Sequence, residues 1–543
     1  MKLPFAITLD PGSSRHNHTG SWRTQRPIYV DRLPPCNATC PAGENIQAWL
    51  YHAETGDYRA AWETLVADNP LPAIMGRACY HTCESACNRA RLDEAVGIHA
   101  VERFLGDLAI REGWPLPAPA PASGKRVLVV GAGPSGLSAA YHLARLGHEV
   151  VVRDAMPRAG GMMRYGIPRY RLPREVVDAE IARIAAMGVR FELGERVGDL
   201  PGAMAAGGFA ACFAAIGAHL AKRVDIPAPD ATRILDAIGL LRQVEQGEDA
   251  PLLGRRVVVY GGGNTALDVA RTARRMGAAD AVIVYRRTQA QMPAHEEELR
   301  EALEEGVEMR WLSTVKEMGA GDITIEKMRL DEAGKPVPTG EHETIAGDML
   351  VLALGQAVDL TPLREVPGVA FTPDGTVAVG DDLMTGHPGL FCGGDMVPAE
   401  RTITVAVGHG KKAARHIDAW LRGATHQPTP EPAPATFERL NPWYYSDAER
   451  VVQPQLELAR RQGTFEEVHG GLDESNALFE ARRCMSCGNC FECDNCFGVC
   501  PDNAVVKLGP GRRFRIDLDF CKGCGLCAKE CPCGAIDMIA EEI

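Results

Sequence analysis

The chain holds 18 cysteines, most of them in C-x2-C and C-x3-C runs. Two runs, Cys490-Cys493-Cys496-Cys500-Pro501 and Cys521-Cys524-Cys527-Cys531-Pro532, share the pattern C-x2-C-x2-C-x3-C-P. Thiolates at this spacing hold [4Fe–4S] clusters, and the fourth cysteine of each run crosses to the other cluster. The expected sets are Cys490, Cys493, Cys496 with Cys531, and Cys521, Cys524, Cys527 with Cys500. Zinc also binds C-x2-C pairs, but tandem runs each closed by proline favour iron and sulfide. Five more cysteines stand upstream: Cys36 and Cys40 in "PPCNATCPAGENI", and Cys79, Cys83 and Cys87 in "GRACYHTCESACNRA". A pair at Cys484 and Cys487 precedes the first tandem run and is not needed by it. Cys212 and Cys392 lie in apolar strand contexts and read as core residues, and Cys533 is left free.

Glycines supply the second kind of chemistry. Gly131, Gly133 and Gly136, with Pro134 and Ser135 between them, follow the apolar run "VLVV" and open a helical pattern. Such a turn lets the backbone approach a pyrophosphate at a helix N-terminus. Asp154 ends the next apolar run 18 residues beyond Gly136, where an acid accepts a ribose hydroxyl. Gly261, Gly263, Asn264, Thr265 and Ala266 repeat the arrangement. There the run "VIVYRR" ends instead in Arg286 and Arg287, whose planar forks suit a 2'-phosphate and favour NADP over NAD. The alternative is two solvated surface arginines. Two such sites in one chain imply a flavin and a nicotinamide that exchange hydride.

The elements that must position these groups follow from composition and punctuation. At 543 residues the chain is long enough for three or four domains. Pro-rich stretches at 115–124 and 425–442 read as linkers. Between them apolar strands alternate with amphipathic helices, the α/β pattern. The expected layout is an N-terminal extension and helical cysteine domain at 1–114, a first dinucleotide domain at 125–240 and 346–424, a second inserted at 241–345, and a cysteine-dense module at 443–543. A net charge of −13 and the absence of a basic run argue against nucleic acid. The first thirty residues contain no signal-peptide core, no stretch has the length and apolarity of a membrane span, and dense thiols point to a reducing cytoplasm.

Several further stretches resemble the two-dinucleotide-domain flavoproteins: "RAGGMMRYGIP" (158–168), "FAAIGA" (213–218), "LALGQ" (352–356) and "LFCGGDMV" (390–397). The resemblance implies FAD held by Gly161, Met162, Gly394 and Asp395, and a helix beginning near Thr404 that points at the isoalloxazine. More narrowly, "YRRTQAQMPAHEEEL" and "GRACYHTCESACNRA" are similar to the glutamate synthase small subunit, over roughly 34–421. That resemblance implies a Rossmann-like FAD domain with an inserted NAD(P) domain, an N-terminal helical iron–sulfur domain and, from the tandem runs, a C-terminal α+β ferredoxin-like domain. It also implies a cluster on Cys40, Cys79, Cys83 and an acid from the next helix, Glu102. The family's extra "RCLxC" pair before Cys36 is missing here, and "EARRCMSC" at 480–487 looks like that pair relocated. Cys36, Cys87, Cys484 and Cys487 would then share one cluster; otherwise the upstream pair is a relic and the downstream pair is spare or serves a partner's cluster. His295 is given no role. The expected function is electron transfer between NAD(P)(H), FAD and [4Fe–4S] clusters, to or from a catalytic subunit. A 2-oxoacid:acceptor oxidoreductase complex is the first choice of partner, with a glutamate synthase role or a free NAD(P)H:ferredoxin oxidoreductase as alternatives. A non-catalytic assembly or redox-sensing protein is the reading from another class.

Overall fold

The computed structural model describes residues 18–230, 233–247, 252 and 254–541, so positions 1–17 of the expected N-terminal extension lie outside it. Two five-stranded parallel sheets form its centre. The first runs Leu390–Cys392, Ala211–Ala214, Arg126–Val130, Glu149–Asp154, Arg190–Leu193. The second runs Glu308–Arg310, Asp280–Val284, Arg256–Tyr260, Met349–Leu352, Ile234–Asp236. Their central strands are apolar on both faces, as strands covered by helices on each side must be: Val127, Leu128, Val129 in one and Val257, Val258, Val259 in the other are fully buried.

The second sheet draws Ile234–Asp236 and Met349–Leu352 from outside the expected 241–345 span. Such short strands carry too few residues for a periodic signal, which is why the sequence boundary fell inside them. The chain crosses between the two domains where Leu220–Ala221 pairs antiparallel with Gln356–Ala357. A three-stranded antiparallel sheet, Ser313–Met318, Asp322–Leu330 and Pro336–Ala346, covers one face of the second domain, packing Val315, Ile323 and Ile325 on Val258 and Leu350.

The N-terminal domain is helical, built on Ile46–Glu54, Tyr58–Val66, Pro72–Ala78 and Ile98–Arg111. Asn45 and Asp57 cap the first two of these, accepting from Ala48 N and Ala60 N. A helix leaves its last carbonyls without partners, and here the neighbouring domain supplies them. From the helix Pro134–Arg145, Tyr141 Oη donates to Val66 O, Arg145 Nη1 to Ala67 O, and His142 Nε2 lies 3.1 Å from Asp68 O. The N-terminal domain is thus seated on the helix that opens the first dinucleotide site.

The C-terminal module contains two short helices, Asn495–Gly498 and Leu526–Lys529, and the hairpin Val505–Lys507 with Phe514–Ile516. Its last strand, Ile536–Ala540, pairs antiparallel with Gln25–Tyr29 from the other end of the sequence. The second Pro-rich stretch, read as a linker, is packed and contains a short 3-10 helix, Phe437–Arg439: Ala435 is buried, and its N–H donates to Leu33 O. Among the described residues no helix is long and apolar enough to cross a membrane.

Candidate functional site

Each glycine turn sits between the strand and helix that the spacing predicts, Arg126–Val130 to Pro134–Arg145 and Arg256–Tyr260 to Asn264–Arg275. A Cβ on Gly131 would lie 2.3 Å from Ala215 O, and one on Gly261 would lie 2.2 Å from Ala353 O, so neither position admits a side chain. In front of Gly263 there is nothing within 4 Å, and Gly133 meets only Gly161 Cα at 3.9 Å. That open space over a helix N-terminus is what a pyrophosphate requires. Beside it Ser135 Oγ is buried without a protein partner, next to Gly394. An orphaned hydroxyl facing an open cradle fits a bound flavin phosphate or ribityl group. Burial pushes the Asp395 carboxyl up from its ordinary range.

Asp154 does more than the spacing implied. Its carboxylate accepts from Ala132 N and from Met156 N at 2.8 Å, tying the glycine turn to the end of its own strand. At the second turn, neither the Arg286 nor the Arg287 guanidinium has a hydrogen-bond or ion-pair partner among the described residues. Asn264 is held from two directions: its side chain donates to Tyr80 Oη and accepts from His295 N at 2.8 Å, while the His295 and Tyr80 rings stack at 5.4 Å. His295, given no role from sequence, therefore links the second dinucleotide turn to the loop between Cys79 and Cys83.

The upstream and downstream cysteines meet. Cys36, Cys87, Cys484 and Cys487 line one cavity with Pro34, Leu50 and Ile98. Burial pushes the Cys36 thiol well up, and the neighbouring Cys484, Cys87 and Cys487 push it further. Cys40, Cys79 and Cys83 form a second group with Glu102 nearby: burial raises all three thiols, and Glu102 adds to each. Glu102 is itself raised well above the carboxylate range by burial and then by Glu44; both acids accept from Asn69 Nδ2 at 2.9 Å. In the tail the fourth cysteines cross. Cys500 lines a cavity with Cys521, Cys524 and Cys527, while Cys531 neighbours Cys490, Cys493 and Cys496. Four thiol-rich groups of this kind match the donor set of iron–sulfur clusters, which thiolates hold.

Cys484 and Cys487 reach the N-terminal domain through a buried polar network. Arg483, 2% exposed, donates to Glu480, Asp93, Glu94 O, Ala95 O and Ala448 O. Glu480 Oε2 accepts from Gly97 N, Arg89 Nη1 donates to Arg483 O, and Gln47 Nε2 to Ser486 Oγ. These bonds satisfy buried charges that would each cost several kcal/mol unpaired, on the order given for broken buried pairs.

Three contacts had no sequence signal. Thr404, at the start of the helix Ile403–Leu421, donates from Oγ1 to Cys79 Sγ at 3.0 Å, joining the flavin side to the second cysteine group. Tyr29 Oη lies 3.2 Å from Cys496 Sγ. Cys533, expected free, lies with its Sγ 3.7 Å from that of Cys531, and their hydrogen bond draws the Cys531 thiol down from its ordinary value. Each involves partners hundreds of residues apart or a spacing outside the motif. A cavity of about 1310 Å³ lies between the N-terminal domain, the helix Glu296–Glu304 and residues 447–469, with Cys79 on its wall and with Tyr80 and His295, the two partners of Asn264, joining it to the second glycine turn. There His81, Glu84 and His99 bring ligand-type atoms within 4.8 Å, but the rings stack at 3.6 Å and His99 Nδ1 pairs with Glu84 at 2.7 Å, so mutual pairing accounts for the group.

Comparison with known proteins agrees with this arrangement. The pyridine nucleotide-disulphide oxidoreductase family matches residues 125–410, the 4Fe-4S cluster family of dihydropyrimidine dehydrogenase domain II matches 23–114, and a 4Fe-4S binding domain matches 514–537. The chain is 35% identical over 499 residues to the NADP(+)-dependent formate dehydrogenase subunit beta of Moorella thermoacetica, covering 83% of this chain and 70% of that one. With the glutamate synthase [NADPH] small chain of Azospirillum brasilense it shares 33% over 428 residues, 73% of this chain and 88% of that one. With the putative oxidoreductase YgfK of Escherichia coli K12 it shares 34% over 542 residues, 94% of this chain, but spans only half of that longer protein. The dinucleotide turns, the N-terminal cysteine domain and the tandem tail therefore have one common explanation: the chain belongs to the glutamate synthase small-subunit-like family of FAD- and NAD(P)-dependent iron–sulfur oxidoreductases, and carries a C-terminal ferredoxin module.

Proposed function

We propose that this chain carries electrons between NADP(H) and a partner catalytic subunit along sites formed by its own residues. The residues that hold the cofactors are those grouped above. Gly131, Gly133, Ser135, Gly161, Met162, Gly394, Asp395 and Thr404 face FAD, with Pro134 and Gly136 shaping the turn and Asp154 bracing it. Gly261, Gly263, Asn264, Thr265, Ala266, Arg286 and Arg287 face NADP. The four cysteine groups, one completed by Glu102, hold four [4Fe–4S] clusters. On this reading 1–114 and 443–543 are the two iron–sulfur domains, 125–240 and 346–424 the FAD domain, and the segment between them the NADP domain. Free thiols at this density belong in a reducing cytoplasm.

When bound, FAD takes or gives a hydride at the nicotinamide and the clusters pass electrons singly, which orders the route. The chain supplies position. Thr404 sets the Cys40–Cys79–Cys83 group against the flavin side. Gln47 and Arg483 hold Cys484 and Cys487 beside Cys36 and Cys87. Cys490 follows Cys487 by three residues, and the crossed tail continues the line to Cys521, Cys524 and Cys527. The observation that carries this reading is the cavity shared by Cys36, Cys87, Cys484 and Cys487, because without that group the tail module would be cut off from the N-terminal domain.

The relative that is a formate dehydrogenase subunit favours a catalytic partner acting on a small low-potential substrate; a 2-oxoacid:acceptor oxidoreductase is the second member of that class, and a glutamate synthase role is favoured by the small-chain relative. In protein purified anaerobically, iron per flavin should be about sixteen. In the Cys484→Ser/Cys487→Ser variant it should fall to about twelve. NADPH should still bleach the flavin of that variant but leave the tail clusters oxidised in electron paramagnetic resonance. Unchanged iron and normal reduction of the tail would overturn the route.

A further inference from the structure

The tail module presents one apolar face that no described residue covers. Trp443 is 86% exposed, and Tyr444, Phe497 and Leu526 are 43%, 43% and 40% exposed. They belong together. Phe497 and Leu526 lie on the two short helices Asn495–Gly498 and Leu526–Lys529, which pack on each other. Tyr444 Oη donates to Glu530 Oε2, Asn441 Nδ2 donates to Lys529 O, and Asn495 Nδ2 donates to Glu530 O, fixing the Trp443–Tyr444 segment at the end of the second helix. Single exposed apolar residues are ordinary on a protein surface; a contiguous group led by a tryptophan marks an interaction site.

Exposed cysteines of the tail stand beside members of this group, Cys524 preceding Leu526 by two residues. Cys493 and Cys524 are the two exposed cysteines of the chain, one in each crossed group, and Cys493 neighbours Tyr444. Electron transfer weakens steeply with distance, so a centre that discharges into another protein must do so where its ligands reach the surface. Two lysines beside this face are paired within the chain: Lys507 with Asp494, while also covering the Phe497 ring at 4.7 Å, and Lys522 with Asp502 at 3.4 Å. A freely diffusing carrier is drawn in by an uncompensated field, which these pairs do not offer. Aromatic anchors with paired charges suit a lasting contact instead.

We propose that Trp443, Tyr444, Phe497 and Leu526 form the seat of a stably bound subunit whose own one-electron centre lies opposite Cys493 and Cys524. The inference rests on the electron-transfer reading above, which NADPH-driven reduction of a viologen dye by the isolated chain tests separately. The seat is tested in full-length tagged chain purified anaerobically from its native cell, as wild type, Trp443→Arg and Leu303→Arg, the last altering an exposed apolar residue of the NADP domain. A photo-cross-linking amino acid at position 443 identifies what touches the face. The expected result is a metal- or flavin-containing subunit in fixed ratio with the wild type, cross-linked from position 443. Its recovery should fall about tenfold or more in Trp443→Arg, as for a hot-spot residue, and remain unchanged in Leu303→Arg, with iron, flavin and dye reduction retained in both. Recovery of the wild type alone, retention of the subunit by Trp443→Arg, or a cross-link to no redox subunit would each overturn it. So would efficient reduction of an added soluble ferredoxin that collapses with salt and ignores Trp443→Arg. Loss of dye reduction by the wild type would count against the electron-transfer reading instead.

Discussion

At the scale of the residue, Cys533 and His142 show how a single side chain sets a property of the whole. Cys533 is 2% exposed, and its carbonyl accepts from Gly488 N at 2.6 Å, so it stands between the Cys484–Cys487 pair and the Cys490 group. With Cys531 bound as a thiolate, the Cys533 S–H is placed to donate to it, and hydrogen bonds to ligand sulfur raise a cluster's potential. Cys533→Ala should therefore shift one midpoint to lower potential by the equivalent of about 1 kcal/mol, in line with a weak bond to a charged acceptor. A redox titration followed by electron paramagnetic resonance reads this, and iron content should be unchanged. His142, 7% exposed, is held well below its ordinary value by burial and then by Lys411 and Arg145. Because the fold keeps it neutral while the unfolded chain protonates near pH ~6.5, its contribution to stability is present above that pH and is lost as pH falls below it. The loss is on the order of 1 kcal/mol per pH unit. His142→Phe should cost about 1 kcal/mol at pH 7.5 through the lost hydrogen bond, and its melting temperature should fall less than that of the parent between pH 7 and 5.5.

At the scale of the element, the helix Ile403–Leu421 is the hinge of the design. A Cβ on Gly410 would lie 2.3 Å from Ser135 O and 2.7 Å from Ala139 N, and one on Gly408 would lie 2.0 Å from Pro41 O. These two glycines let one helix touch both the flavin helix and the cysteine domain, and so bring Thr404 to Cys79. Gly410→Leu should force the helices apart at a cost of about 1–3 kcal/mol or more, seen as loss of flavin on gel filtration and slower reduction of the iron by NADPH. The strand–turn–helix units were legible from the sequence because glycine spacing and apolar runs are local signals. The crossing of Cys500 and Cys531 was legible for the same reason. The strands Ile234–Asp236 and Met349–Leu352 were not, since three or four residues have no period of their own, and neither was the grip of Tyr141, His142 and Arg145 on a helix end in another domain. Those contacts depend on how finished elements meet. The meeting of Cys36 and Cys87 with Cys484 and Cys487 was reachable only because both pairs lacked partners within their own motifs.

At the scale of the whole molecule, the parts are held in one arrangement by long-range contacts. Tyr170, from the first dinucleotide domain, lies under the guanidinium groups of Arg271 and Arg275 at 4.8 and 3.7 Å, and Arg171 pairs with Asp268 at 2.9 Å. The segment 447–469 adds Arg461 to Glu304 and Gln455 to Glu301 across the same junction. Another long reach is that of Gln25–Tyr29, which completes the sheet of the tail module and lays Tyr29 against Cys496. Every residue between Tyr29 and Ile536 must be made before this strand can pair with Ile536–Ala540. The cavity shared by Cys36, Cys87, Cys484 and Cys487 is subject to the same delay. Cys36 and Cys87 therefore stand without Cys484 and Cys487 until the tail is made, and a chain that stops short of those two residues has no thiol group bridging the N-terminal domain and the tail module.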